Sequence, residues 1–341
     1  MNKFKYYFIL LITTITLFSC TQDREVFVPV PAREFAVQYA TEIKDIEQYL
    51  NTYYFTVTDN PGSPEDQNIV FTKIPAGGTQ ASIMSFKNSA TFPKLLTREV
   101  KLHEINYTLY YLVLREGTGS SPSNVDQVST TYRGDYLQSA TVDGATTLTT
   151  TKFEEWIFEP QRINLINSVR GWKEIFPQFK TGTASSNPDG TVTNIDFGAG
   201  AIFIPSGLAY YENGRGGIPP YAPLIFSFKL YAMQRLDHEV IVTNNSLVPA
   251  PDGILSYHED IDGDGYMWLK EELNAGVVNP DDTDGDGFPD FIDTDDDGDG
   301  ISTRTEITAA NGVLIPFESI PSCDGNTTDP NRKKRHLVKC N

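Results

Sequence analysis

The sequence predicts an α+β protein, in which an antiparallel sheet wraps on one short helix between a helical N-terminal segment and an irregular tail. Three observations support this class. Over residues 107–235, runs of aromatic and branched residues alternate with turn residues and enclose one brief helical pattern. Before residue 54, apolar residues recur at three- and four-residue spacing. After residue 236, aspartate and glycine replace regular apolar periodicity.

The first residues predict a lipoprotein signal peptide over 1–19 and a lipidated tether over 20–33. Two lysines precede an apolar run that is too short to span a bilayer, and the run ends in Leu17-Phe18-Ser19-Cys20, which resembles a lipobox. Lipidation of Cys20 would hold the chain to a membrane, and the alternative is an ordinary cleaved signal with an incidental cysteine. The acidic residues soon after Cys20 resemble those that follow the lipidated cysteine in surface-exported lipoproteins of gliding bacteria. We therefore expect an outer-membrane lipoprotein, at the cell surface in preference to the periplasmic face.

The net charge of -18 comes from one segment of the chain. Residues 251–306 hold 18 of the 45 acidic residues but only two of the 27 basic ones, so the remainder is nearly neutral. The concentrated basic run is confined to Arg332–Arg335. This distribution argues against nucleic acid as a partner.

The cysteine count fits an oxidising compartment. With Cys20 lipidated, Cys323 and Cys340 remain as an even pair near the C-terminus. We expect a disulfide between them, because exported proteins meet oxidising conditions. Two free thiols on a disordered tail are the alternative.

Clusters of turn-forming residues divide the part of the chain that follows the tether. An amphipathic helical pattern covers Glu34 to Tyr54, and a loosely patterned stretch without an assigned function continues to Lys101. One short helix is expected within Gly171 to Phe179. The predicted segments are a helical and irregular segment at 34–106, a sheet domain at 107–235, a linker at 236–259, aspartate repeats at 260–308 and a C-terminal segment at 309–341.

Five short motifs occur in a fixed order within the predicted sheet domain. They are Val128-Ser-Thr-Thr-Tyr132-Arg-Gly134, Phe153-Glu154, Val169-Arg-Gly171-Trp172-Lys-Glu174, Phe203-Ile-Pro205-Ser-Gly-Leu-Ala209-Tyr210 and Ile218-Pro219-Pro220-Tyr-Ala-Pro-Leu224-Ile-Phe226. In this order they resemble FKBP-type peptidyl-prolyl cis-trans isomerases, over a little more than a third of the chain. Each motif alone is weak, and their order makes the resemblance specific. The resemblance implies an FKBP-like sheet.

The resemblance also implies a cup that binds proline-containing polypeptides without a catalytic cofactor. Trp172 would underlie the proline ring, and Tyr210 would donate a hydrogen bond to a substrate carbonyl. The other candidate catalytic residues, which form the walls and rim, are Tyr132, Phe153, Glu154, Val169, Ile218 and Phe226. Rotation about an X–Pro bond crosses a barrier of about 18–20 kcal/mol. A dry aromatic cup favours the twisted amide, which is less polar than the planar one.

The sequence departs from the family pattern at several positions. Glu154 stands where the family has Asp, and Tyr211 follows the Ala-Tyr pair where the family usually has Gly. Gln161 or Ile163 falls near the position of a further pocket aromatic. Insertions are expected at Thr141–Thr151 and Thr183–Gly198. The retained pocket residues favour catalysis, whereas these departures favour a binding role.

The acidic segment contains three aspartate loops with the spacing of calcium-binding sites. Carboxylates at alternating positions, a glycine at position six and a later carboxylate match an EF-hand loop, and the second and third units resemble thrombospondin type 3 repeats. The predicted ligands are Asp260, Asp262, Asp264, Tyr266 and Glu271, then Asp282, Asp284, Asp286, Asp290 and Asp293, then Asp295, Asp297, Asp299, Ile301 and Glu306. A calcium sensor needs a pair of flanking helices that opens on binding, and the last two loops have no flanking helical pattern. We therefore expect structural calcium. A solvated acidic tract is the alternative.

Two functions follow from this organisation. The first is a peptidyl-prolyl isomerase lipoprotein that assists the folding or export of outer-membrane and secreted proteins. The alternative is a non-catalytic FKBP-fold subunit of an outer-membrane secretion, assembly or motility complex. A calcium-dependent adhesin is a weaker third hypothesis, since the sequence has no ligand-site signature for it.

Overall fold

The computed structural model describes residues 31–142 and 145–340. The predicted signal peptide and the lipidation site at Cys20 lie outside these ranges. Residues 34–341 form one compact unit, to which all the structure below belongs. Within the described ranges, no helix is both long enough and apolar enough to cross a membrane.

The chain begins its regular structure with the predicted amphipathic helix. This helix, α1 (Phe35–Thr52), buries Gln38, Glu42, Ile46, Tyr49 and Leu50 along one face, at the spacing that the sequence indicated. It ends where Tyr53 adopts an extended conformation. Strand β1 (Tyr53–Val57) then pairs with β2 (Ile69–Lys73) in a two-stranded antiparallel sheet.

The main sheet has six antiparallel strands, and strands β7 and β8 form a separate hairpin. In chain order the strands are β3 (Lys94–Leu102), β4 (Ile105–Arg115), β5 (Gln127–Val142), β6 (Ala145–Asn164), β7 (Thr183–Ser186), β8 (Val192–Ile195), β9 (Gly198–Ile204) and β10 (Leu224–Gln234). Their order across the main sheet is β3-β4-β9-β10-β5-β6. Helix α2 (Arg170–Ile175) lies between β6 and β7 in the chain.

The sheet is larger than the segment predicted for it. Strand β3 lies in the stretch that looked loosely patterned, because its polar and apolar residues alternate only weakly. The predicted insertion at Thr141–Thr151 forms the far ends of β5 and β6, and the one at Thr183–Gly198 contains the β7–β8 hairpin. These stretches therefore extend the sheet architecture.

Both faces of the main sheet are buried, and strand β4 shows how. Odd-numbered positions from Tyr107 to Val113 join the apolar cluster around Trp172 of α2. Even-numbered positions from Tyr110 to Leu114 join the opposite cluster, which contains Leu50 of α1. Successive strand residues point to opposite faces, so a continuous apolar run is what a strand buried on both sides requires. The expectation of one helix against the sheet was incomplete, since α1 covers the other face.

The remainder of the chain has little regular structure. The predicted linker contains a hairpin of β11 (Val240–Thr243) and β12 (Ser246–Pro249), and the tail contains the short helix α3 (Thr303–Glu306). Two small apolar clusters lie in this part of the chain. One is built on Met267 and Phe291, and the other on Ile254, Ile307 and Ile320. The structure also contains a disulfide between Cys323 and Cys340.

Candidate functional site

A cavity of about 730 Å³ lies beside α2 and the strands that carry the family-like motifs. All eight residues that the resemblance placed in the pocket line this one cavity. They are Tyr132, Phe153, Glu154, Val169, Trp172, Tyr210, Ile218 and Phe226. These residues come from four strands or loops and one helix start, so only the folded chain brings them together.

The floor of the cavity is an edge-to-face arrangement of aromatic rings. The Trp172 ring centroid lies 5.1 Å from that of Tyr132 and 4.9 Å from that of Phe226, at interplanar angles of 88° and 82°. The rings of Phe153 and Phe226 meet at 90° with centroids 5.6 Å apart. Such geometry matches the quadrupoles of aromatic rings and fixes each ring through its neighbours. The floor of the cup is therefore aromatic, and each ring packs against its neighbours.

Two glycines allow these rings to approach the backbone. A Cβ atom on Gly134 of β5 would lie 2.4 Å from Phe153 and 2.9 Å from Phe226, so only glycine leaves room for both rings. A Cβ atom on Gly171 would lie 2.7 Å from Ile204, which means that α2 packs against β9 only with glycine there. The Tyr-x-Gly and Gly-Trp motifs therefore have a steric reason.

A polar edge borders the aromatic cup at Tyr132 and Glu154. Burial, and then the charge of Glu154 and its hydrogen bond to the Tyr132 side chain, raise the pKa of Tyr132. The Trp156 indole N–H donates to Glu154 Oε1 at 2.9 Å. Thus Glu154, which stands where the family has Asp, still reaches Tyr132, and Trp156 holds the longer carboxylate in place.

The turn that carries Tyr210 is fixed by helix α1. The buried Glu42 carboxylate accepts hydrogen bonds from the Ser206 N–H at 2.8 Å and from the Ser206 hydroxyl at 2.5 Å. Gln38 donates to the same carboxylate at 2.6 Å. The sequence assigned no function to residues 34–101. This contact indicates a role for α1, which positions the turn that leads into Ala209 and Tyr210.

The candidate catalytic residues chosen from the sequence leave out part of the cavity lining. The additional residues are Ile163, Asn167, Ser168, Arg170, Ala209, Arg215 and Gly216. Most lie within two positions of a quoted motif, and that proximity is the signal that could have found them. Ile163 lines the cavity near the position where the family has a further aromatic residue. The Arg215 guanidinium lies 5.5 Å from the centre of the Tyr210 ring.

The three aspartate loops have the same backbone geometry. In each loop the sixth residue is a glycine with positive φ, namely Gly265 at 83°, Gly287 at 100° and Gly300 at 90°. Each of these glycines donates its N–H to the first aspartate of its loop, over 2.9–3.0 Å. Asp260, Asp295 and Asp297 also have buried carboxylate oxygens without a hydrogen-bond partner among the described residues. These features fit hard cations such as calcium.

The carboxylates gather differently from the predicted ligand sets. Oxygens of Asp282, Asp284 and Asp286 lie within 4.8 Å of one another, as do those of Asp295, Asp297 and Asp299. In the first loop, Asp260 and Asp262 are joined by Asp281, which the sequence spacing did not suggest, while the predicted Glu271 is exposed on a short turn.

The other predicted ligands lie outside these three groups. Asp264 accepts hydrogen bonds from the Tyr266 N–H and the Trp268 indole. Asp290 accepts from Thr283, and Asp293 accepts from the backbone of the third loop. The pKa of Glu306 is raised to about 7 by burial and then by Asp297 and its neighbours. Tyr266 and Ile301 were predicted through their backbone carbonyls.

The first aspartate loop packs against the start of α2. Lys173 Nζ lies 2.5 Å from Glu272 Oε1. The Arg170 guanidinium lies 4.1 Å from the centre of the Tyr266 ring and 4.6 Å from that of Trp268. Since Arg170 lines the cavity and Trp172 forms its floor, the tail contacts the helix that carries the floor. The two features are therefore physically connected.

Comparison with known proteins gives matches of two kinds, one to a family model and the other to curated isomerases. Residues 250–330 match the model of a family described as BamM C-terminal. The chain is 30% identical over 129 residues to the FKBP-type peptidyl-prolyl cis-trans isomerase FkpA of Aeromonas hydrophila, which covers 37% of this chain and 38% of that protein. It is 27% identical over 128 residues to the peptidyl-prolyl cis-trans isomerase Mip of Coxiella burnetii, covering 37% and 45%. The chain thus spans less than half the length of these relatives.

Solved structures give similar partial matches. The crystal structure of FkpA from Escherichia coli is 27% identical, covers 37% of this chain and 48% of its own, and has a TM-score of 0.28. A peptidyl-prolyl cis-trans isomerase from Pseudomonas syringae is 23% identical, covers 45% and 87%, and has a TM-score of 0.29. From the sequence relatives, part of the chain is homologous to FKBP-type peptidyl-prolyl isomerases, as the motifs indicated.

Proposed function

We propose that the sheet domain catalyses cis–trans isomerisation of X–Pro bonds in other polypeptides. The observation that carries the proposal is the aromatic cup itself. Eight residues chosen from motif resemblance line one cavity, with Trp172 as the floor and Tyr132 and Phe226 edge-on to it. Homology of this part of the chain to FKBP-type isomerases supports the same reaction.

The cup lowers the barrier by differential solvation. The planar amide is more polar than the twisted one, so water stabilises the ground state more than the transition state. Aromatic walls replace that water and leave the twisted form at a relative advantage. The reaction needs no covalent intermediate, because no bond other than the rotating C–N bond changes.

The polar residues at the rim orient the substrate. Tyr210 donates its hydroxyl hydrogen to a substrate carbonyl, and burial raises the pKa of this tyrosine, so the donor proton is retained at neutral pH. Glu154 holds the Tyr132 hydroxyl at the edge of the cup. Loss of one such hydrogen bond costs about 0.5–1.5 kcal/mol, and Tyr210→Phe is therefore expected to lower the rate roughly 2- to 13-fold.

A matched pair of substitutions on strand β6 tests the proposal. Phe153 lines the cavity, whereas Phe158 is 76% exposed on the same strand. The full chain, purified in detergent with calcium, is assayed for isomerisation of a proline-containing peptide. We expect Phe153→Leu to lose most of the catalysed rate and Phe158→Leu to retain it, with both variants folded by circular dichroism. Equal isomerisation rates in the two variants, or no rate above background in the wild type, would contradict the proposal.

We also propose the setting in which this activity operates. The lipobox-like sequence supports lipidation at Cys20 and attachment to the outer membrane, on the cell-surface side in preference to the periplasmic side. The repeated loop geometry supports structural calcium in the tail, which then holds Tyr266 and Trp268 against α2. Radiolabelled palmitate incorporation that disappears in Cys20→Ser tests the anchor. Protease treatment of intact cells distinguishes the two faces of the membrane.

A second candidate function is a non-catalytic subunit of an outer-membrane secretion, assembly or motility complex. The observation that favours it is the edge strand β6, which exposes 43% of Trp156 and 76% of Phe158. Large exposed apolar residues on a sheet edge are typical of protein–protein contacts. Phe158→Lys would release such a partner in affinity purification from detergent-solubilised membranes. An unchanged set of co-purifying proteins would contradict this role.

A further inference from the structure

A second group of carboxylates lies beneath the aspartate loops, at the join between the linker and the tail. Asp252, Glu259 and Asp296 each have about 1% of their surface exposed. One oxygen from each lies within 4.8 Å of the other two. Asp252 follows hairpin β11–β12, Glu259 follows the turn Ser256–His258, and Asp296 belongs to the third loop. The three residues therefore meet only through the fold.

These carboxylates are almost entirely without hydrogen-bond donors. Asp252 Oδ1 accepts the Ile254 N–H at 2.6 Å. The other oxygen of Asp252 and both oxygens of Glu259 and Asp296 are buried and have no partner among the described residues. A buried ionised carboxylate without a donor is strongly destabilising, and three in contact also repel one another. The group therefore needs positive charge between its carboxylates, either from bound protons or from a cation.

No described side chain supplies that charge. None of the ion pairs between described residues involves these three carboxylates. Arg304 is nearby, but its guanidinium donates to the backbone carbonyls of Pro251 and Asp252, each at 3.1 Å. Further carboxylates flank the group instead, since Asp237 and Glu239 form an overlapping trio with Asp252. Apart from Arg304, the described charged side chains around the three carboxylates are therefore negative.

We propose that Asp252, Glu259 and Asp296 bind one buried divalent cation, of the hard, calcium-like class. The three carboxylates carry five unpartnered oxygens, and one oxygen of each lies within 4.8 Å of the other two. Calcium takes six to eight oxygen ligands, and carboxylates are among those it prefers. Magnesium is less suited, because it retains several waters and this site is buried. The ion ties the linker to the third aspartate loop. It thereby anchors the tail to the chain that leaves β10, independently of whether the cavity is catalytic.

Calcium stoichiometry tests the site in solution. The full chain in detergent is stripped of metal, dialysed against millimolar calcium, and its bound calcium is measured by elemental analysis. Glu259→Gln keeps the side-chain shape but removes the charge, and we expect it to bind one calcium ion fewer per chain than the wild type. The matched control Glu318→Gln alters an exposed carboxylate in the C-terminal segment and should bind the wild-type number. A folded Glu259→Gln protein with the wild-type number of ions would overturn the proposal.

A measurement on the wild type covers the case in which Glu259→Gln does not fold. Anomalous diffraction from crystals grown with calcium should show a peak between the three carboxylates, separate from any peaks in the loops at Asp282 and Asp295. Occupied loops with no peak at Glu259 would contradict the buried site while leaving the loops as calcium sites. Neither experiment depends on isomerase activity.

Discussion

The sheet domain and the aspartate-rich tail stabilise their folds in different ways. Both faces of the main sheet are covered by aromatic and aliphatic side chains, with Tyr49, Phe176 and Phe203 among those at most 1% exposed. The described part of the tail has two small apolar clusters, and its loops close through carboxylates that accept backbone N–H groups. Apolar burial needs no added component, whereas a fold built on adjacent carboxylates needs cations to offset their repulsion.

Removal of divalent cations should separate the two regions most clearly. A chelator is expected to unfold residues 260–308 and to leave β4 and β9 folded, because only the tail loses its charge compensation. Binding at 1,000 times the dissociation constant stabilises a fold by about 4 kcal/mol, and that contribution disappears on chelation. Hydrogen exchange with mass spectrometry measures both regions in one sample. Unchanged protection in the tail, or equal loss in the sheet, would contradict the comparison.

The next largest effect is expected where α1 supports the sheet domain. Glu42→Ala removes the acceptor for the Ser206 N–H and leaves that buried group unpaired, at a cost of about 2–4 kcal/mol in the free energy of unfolding. The peptide isomerisation rate should fall as well, because the turn before Tyr210 loses its anchor. Urea unfolding and the isomerase assay measure the two effects. Lys44→Ala, exposed on the same helix, is the control and should change neither.

The contact between the two regions should give a smaller but measurable coupling. Lys173 is 4% exposed and pairs with Glu272 across the boundary. In a double-mutant cycle of Lys173→Met and Glu272→Gln, we expect a coupling energy of about 1–3 kcal/mol in calcium. Chelation should abolish the coupling, because the loop then leaves α2. Additive effects in calcium would show that the two regions are energetically independent.

A pH dependence specific to the tail completes the comparison. Burial, with a smaller contribution from Lys334, lowers the pKa of His336 to about 3. The folded state keeps this imidazole neutral while the unfolded state binds a proton below about pH 6.5. The stabilisation is therefore present above pH 6.5 and is lost as the pH falls towards 3, at about 1.4 kcal/mol per pH unit. Calorimetry between pH 7 and 5.5 in calcium measures the slope. His336→Leu should remove the His336 contribution and leave that of Glu306, whose pKa is raised to about 7.

The cavity was predictable from sequence because its residues lie in local motifs whose spacing survives in the chain. Gly134 and Gly171, which make room for the rings, are part of those motifs. Strand β3 was not predictable, because its burial is irregular along the strand. The role of Glu42 was also hidden, since a polar residue on an amphipathic helix gives no sign of a partner 164 positions later.

The aspartate-rich tail shows the same division. The repeated Asp and Gly positions within each loop predicted the local turns correctly, because each turn closes within six residues. The grouping of Asp281 with Asp260, and of Asp252 with Glu259 and Asp296, depends on how separate segments pack. Spacing rules place carboxylates within a loop, whereas carboxylates contributed by other segments are found only in the structure.

The most direct test of the account is the exchange rate of a proline-containing peptide in the presence of the wild-type full chain and calcium. Two-dimensional exchange NMR measures cis–trans interconversion without a coupled protease. We expect exchange well above the uncatalysed rate with the wild type and with Phe158→Leu, and loss of this excess with Phe153→Leu. Uncatalysed exchange with a folded, calcium-loaded protein would contradict this expectation, and would leave the cavity as a binding site without isomerase activity.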